Sequence, residues 1–111
     1  MQSRTTVNYL LCGLTTLSMA VYSAELFAKG DINAGREKAV NCVACHGADG
    51  IGKSESYPNL QGQKYGYLKK QLQELRSGVR KAPHMSAMAR SLSDQDIKDL
   101  STFFSSLTKN D

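Results

Sequence analysis

Cys42-Val43-Ala44-Cys45-His46 is the stretch on which the reading of this chain turns. On a helical turn, residues three apart share one face, with Cβ atoms about 5–6 Å apart. Two thiols placed so can add to the two vinyl groups along one edge of a single haem. The next residue, His46, is then poised to offer an imidazole nitrogen to the iron. The pattern reads as c-type haem attachment. Two other chemistries use cysteines at this spacing. A redox Cys-x-x-Cys belongs beside a βαβ unit, and no alternating run of β-branched residues follows the leader to build one. A zinc site wants four ligands at tetrahedral geometry. Cys42, Cys45, His46 and His84 can be named for it, but the adjacent Cys45 and His46 converge poorly on one small ion.

Outward from this stretch the chain reads as helices joined by long loops. Upstream, Ala34, Gly35, Ala39 and Val40 mark the apolar side of a short helix that Asp31 caps. Downstream come a loop with Gly47, Gly50 and Gly52 and an extended piece, Tyr57-Pro58-Asn59-Leu60. From Lys64 to Ser77, Tyr65, Leu68, Leu72 and Leu75 recur at helical steps, and Gly78 follows as a C-cap. Pro83 opens a linker to His84-Met85-Ser86-Ala87-Met88, predicted to return over the far side of the haem. In the last segment Ser93 and Asp96 have the spacing of a capping box. Behind them Ile97, Leu100, Phe104 and Leu107 form an apolar stripe. The fold class is all-α, with neither repeats nor low-complexity stretches. His84, Met85 and Met88 are the candidates for the second iron ligand. A His/Met pair raises the reduction potential and closes both axial positions, which suits outer-sphere electron transfer.

The first part of the 111-residue chain stands apart. Arg4 supplies a positive start, an apolar middle runs from Val7 to Val21, and small residues close it at Ser23 and Ala24. These are the three parts of a secretory signal peptide, with cleavage after Ser23, Ala24 or Ala28. A membrane anchor fits less well, because Asn8, Thr15, Thr16 and Ser18 break the run short of the ~20 residues a span needs. Leu11, where a small residue would be expected before Cys12, argues against a lipid anchor. Residues 1–23 are therefore read as the leader and residues 24–111 as the domain. The domain keeps Cys42 and Cys45 but not Cys12. A chain so short buries little surface by itself, and with no Trp and three Phe a buried cofactor would supply apolar mass.

The chain resembles class I cytochromes c, and within them the bacterial "c-four-like" domains that occur singly or in tandem. The resemblance runs from Gly30 to Leu107. It is carried by Cys42 to Gly50, Tyr57-Pro58-Asn59-Leu60-Gln61-Gly62-Gln63, Tyr67 to Leu72 and Leu92 to Ile97. It implies a class I cytochrome c fold, with N- and C-terminal helices crossing around one covalently bound haem c. It gives the thioether bonds to Cys42 and Cys45, the proximal ligand to His46 and the distal ligand to Met85. It also implies that the Pro58 carbonyl would accept the His46 Nδ1 proton, the bond that fixes an axial imidazole. Met88 matches a second family methionine that is not usually the ligand. Gly35 lets the first helix cross the last one near Phe103.

Setting Arg4 aside with the leader lowers the formal charge from +4 to about +3. Lys64, Lys69, Lys70, Arg76, Arg80, Lys81 and Arg90 crowd the middle of the chain against Glu74, while Asp94, Asp96 and Asp99 mark the last helix. The basic stretch is either a solvated face or a docking surface that steers an acidic redox partner. Nucleic acid is not indicated, for want of a basic aromatic platform. The resemblance implies a diffusible single-electron carrier, not an enzyme, in the periplasm of a Gram-negative bacterium. Its partners would be a membrane electron donor and an oxidase or reductase acceptor. A haem enzyme would need an open iron position. A zinc or gas-sensing module would lack redox turnover.

Overall fold

The computed structural model describes residues 28–108; the leader expected over residues 1–23 lies outside them, as do the last three positions. Asp31 opens the first helix, α1 (Ile32–Lys38), with its carboxylate accepting from the Ala34 amide at 2.7 Å. At Ala39 the backbone breaks register and resumes as α2 (Val40–His46), which carries the cysteines. A loop leads to α3 (Tyr65–Ser77), which stops where Gly78 takes a left-handed conformation at φ 81, one that side-chain-bearing residues resist. α4 (Pro83–Ala89) and α5 (Asp94–Ser106) complete the described chain. No strand occurs among the described residues.

α5 is the axis on which the others pack: α1 crosses it, and α3 lies against both α5 and α4. The crossing of α1 and α5 depends on Gly35. A Cβ there would collide with the Asp99 carbonyl and stand 2.8 Å from the Phe103 Cβ, so the two backbones touch where a side chain would separate them. Polar bonds lock the same crossing. The Gly30 amide donates to Thr102 Oγ1 and the Asp31 amide to Asp99 Oδ1, both at 2.8 Å. Lys38 pairs with Asp96 at 3.2 Å. Around this junction Ala39, Leu68, Leu100, Phe103 and Phe104 form the core, with the two phenylalanine rings 5.0 Å apart.

Three readings from the sequence change. Residues 83–89, expected as a linker, form a helix. Pro83 sits at its first turn, where its fixed φ and missing N–H cost nothing, and the Ser86 hydroxyl accepts from the Ala82 amide. Val40 lies largely exposed, because the break at Ala39 rotates α2 away from the apolar side of α1. Asp99, read from the sequence only as one of three acidic residues of the last helix, is buried, where it receives the N–H of Asp31 and the Gln95 amide; it belongs to the α1–α5 junction.

Candidate haem-attachment site

α2 holds Cys42 and Cys45 three residues apart on one helix, both free thiols and both half-buried. Burial pushes the Cys42 thiol above its ordinary titration range, so it stays protonated at neutral pH. His46 closes the helix and is 5 % exposed. Its Nδ1 lies 2.8 Å from the Pro58 carbonyl oxygen. A carbonyl can only accept, so Nδ1 carries a proton, and in the neutral ring the lone pair is on Nε2.

The loop between α2 and α3 exists to make that bond. The Gly50 carbonyl accepts from the amides of Leu60 and Gln61 at 2.7 and 3.0 Å. The Gly52 amide donates to Asn59 Oδ1 at 2.8 Å, and the Lys53 amide to the Cys45 carbonyl at 2.9 Å. These bonds fold 47–61 back on itself and carry Tyr57 and Pro58 over the end of α2. The Tyr57 ring stands edge-on to His46, with centroids 6.4 Å apart. Cys42, Cys45, His46 and Pro58 thus form one group, in which the helix supplies three members and the loop the fourth.

Met85 lies apart from it. It is half-buried on α4, Met88 is 41 % exposed and His84 is exposed. α4 and α2 make no contact with each other; each reaches the core through other helices. Among the described residues no three His, Cys, Asp or Glu side chains gather to hold a metal ion, so the zinc set of Cys42, Cys45, His46 and His84 is not assembled.

The donor set suits a haem: two helix-borne thiols, an oriented imidazole and a thioether on a separate element. So does the packing. Cys42, Val43, Leu60, Leu72 and Leu92 lean on the core yet keep part of their surface uncovered, an apolar lining for a flat hydrophobic ring. His46 would hold the iron, and Cys42 and Cys45 the porphyrin edge. Tyr57 and Asp99 escaped the sequence reading.

A helical fold with such a group belongs among proteins that bind haem covalently, and comparison places it. The family model "Cytochrome c" matches residues 24–108, and the chain belongs to that family, whose members hold haem c and carry electrons. Cytochrome c-554(548) of Halomonas halodenitrificans is 48% identical over 69% of this chain and 96% of that protein. Cytochrome c4 of Pseudomonas aeruginosa is 40% identical over 87% of this chain and 44% of its own length. Reduced cytochrome c4 from Pseudomonas stutzeri superposes with a TM-score of 0.68 at 41% identity, over 71% of this chain and 46% of that one. The chain thus spans less than half of these two cytochrome c4 relatives. The class I cytochrome c fold expected from the sequence is the one observed.

Proposed function

We propose that this cytochrome carries one haem c, bonded through Cys42 and Cys45, with His46 and Met85 as axial ligands. Residues 1–23 act as an export leader, and 24–111 work in the periplasm of a Gram-negative bacterium. There the protein is a carrier and not an enzyme: it takes single electrons from a membrane donor and passes them to an oxidase or reductase. The observation that carries the reading is the His46–Pro58 bond, which engages Nδ1, leaves Nε2 for the iron and holds the ring, as an axial imidazole requires. Support for Met85 comes from α4 and α2 standing apart, because two axial ligands must approach a flat ring from opposite faces. A haem bound this way supplies one-electron chemistry with little change in coordination. The chain's own part is to orient His46, to close the second axial position with a thioether and to keep water from the ring. Optical spectra in both redox states test this. A low-spin, six-coordinate spectrum whose haem stays with the polypeptide on unfolding is expected; a five-coordinate ferrous spectrum that binds carbon monoxide at once would replace the carrier with a ligand-binding or catalytic role.

A further inference from the structure

Residues 79–92 join α3 to α5 and carry Met85 on α4, which packs against α3 and against no other helix among the described residues. Bonds from α3 tie this segment at both ends. At the near end the Arg80 amide donates to the Glu74 carbonyl at 3.1 Å, and the Arg80 guanidinium donates to Gln71 Oε1 at 2.9 Å. The Ser86 hydroxyl links that anchor to the first turn of α4, accepting from the Ala82 amide and donating to the Arg80 carbonyl. At the far end one side chain makes the tie. Arg76, in the last turn of α3, donates through Nη1 to the Leu92 carbonyl at 3.0 Å, across sixteen positions of sequence. Its Nη2 donates to Asp94 Oδ1 at 2.6 Å. The bond to Leu92 is part-buried and the one to Asp94 is exposed. An ion pair would need Asp94 alone; the second bond goes to the backbone into which α4 runs. The Leu92 amide in turn donates to the carbonyl of Ala89, the fully buried last residue of α4, so what holds Leu92 holds the end of that helix.

We propose, resting on the reading of Met85 as the second axial ligand, that Arg76 is a positioning residue for it. By fixing the Leu92 carbonyl and Asp94 to the end of α3, Arg76 holds α4, and with it the Met85 thioether, in place. A thioether is an uncharged, soft donor, and on ferric iron it stays only where the chain keeps it. Segments with few tertiary contacts open at a fraction of the global free energy. A seven-residue helix with one helical neighbour is such a segment. Without the far tie, residues 79–92 can swing on the Arg80 anchor, while α2, which does not touch α4, keeps Cys42, Cys45 and His46 where they are. Arg76 thus sets how often the second axial position opens.

Imidazole added to the oxidised, haem-loaded protein at neutral pH takes the iron only when Met85 has left it, so its apparent affinity measures the open fraction. Arg76→Met keeps an apolar stem and loses both bonds. Imidazole should bind it about tenfold more tightly than wild type, the order set by loss of a hydrogen bond to a charged group. The near-infrared band that reports sulfur on ferric haem should weaken in the same variant. Asp94→Ala loses only the exposed pair and should shift the affinity by no more than about threefold. Gly35→Ala loosens the α1–α5 crossing and should lower Tm without either change. If Arg76→Met binds imidazole no more tightly than wild type or Gly35→Ala, Arg76 has no positioning role, and the Met85 reading stands. A wild-type protein with covalent haem and no sulfur band overturns the Met85 reading and the role of Arg76 with it. Should Arg76→Met fail to fold, Arg76→Lys decides, because lysine keeps the charge but not the fork that reaches both acceptors. It should bind imidazole more tightly than wild type does, and equal affinities would reject the role.

Discussion

His46 has two ring nitrogens, and the Pro58 carbonyl engages one of them at 2.8 Å. That leaves Nε2 of a buried ring as the nitrogen for the iron, and on the proposed reading a soft donor from another element would complete the coordination. Met85 is half-buried while Met88 is 41 % exposed and His84 is exposed. On α4, Met85 and Met88 are three residues apart, so both lie toward one side of that helix, and burial distinguishes them. Met85→Ala should therefore give a water-bound or open iron, a lower potential and new affinity for small ligands. Met88→Leu should change little, since it replaces an exposed side chain by one of similar volume. The near-infrared band of the oxidised protein reports sulfur on ferric haem and decides between them. If it is lost in Met88→Leu and kept in Met85→Ala, the ligand is the other methionine.

At the scale of elements, caps and close approaches hold the site in place. Ser93 and Asp96 form a reciprocal capping box on α5, and Asp94 pairs with Arg76 on α3 at 2.6 Å. Both carboxyls are held below their ordinary 3.8, Asp94 first by the Arg76 hydrogen bond and Asp96 first by the Ser93 amide. A group whose titration folding depresses adds stability above its unfolded value, and that stability is lost as pH falls through the folded value. These two residues should leave stability flat above about pH 5 and lower it below about pH 4. Denaturant melts of Asp96→Asn should show a shallower acid limb, because asparagine can still accept from the Ser93 amide but does not titrate. Gly35→Ala is the sharper test of the α1–α5 crossing. Overpacking of this kind costs roughly 1–3 kcal/mol, and each kcal/mol lowers Tm by about 4–8 °C in a domain of this size. A thermal melt unchanged from wild type would mean that the helices do not meet at Gly35. The caps, α3 and α5 could be read from the sequence because each depends on neighbours three or four positions away; the Gly35 crossing joins residues far apart in the chain and was expected only from the family resemblance. α4 was hidden because proline punctuates loops and helix starts alike, and seven residues are too few for periodicity to decide. Asp99 was hidden because its partner, the Asp31 amide, lies 68 positions upstream.

For the molecule as a whole, the basic middle of the chain is less available than its composition suggests. Arg76 is bound to Asp94 and to the Leu92 carbonyl, Lys70 meets Glu74, and Arg80 donates to Gln71. Lys64, Lys69, Lys81 and Arg90 form no ion pair among the described residues. If they steer an acidic partner, electron-transfer rates should fall with added salt, as charges more than a Debye length apart (about 10 Å at 0.1 M) are screened. A rate that is flat or rises with ionic strength would make them a solvated face. That choice was open in the sequence, because spacing along a helix does not say which cations a neighbouring helix consumes. The grouping of Cys42, Cys45 and His46 was legible for the opposite reason: they sit within five consecutive residues on one helix, so local geometry alone brings them together. The proposed role depends on the covalent attachment of haem at Cys42 and Cys45. Mass spectrometry of the unfolded protein, purified from a bacterial periplasm, tests it most directly. The account predicts a chain lacking about residues 1–23 and heavier by a single haem, with that mass on the peptide that contains Cys42 and Cys45. A haem-free chain with two free thiols there, or one whose haem departs on unfolding, would contradict it.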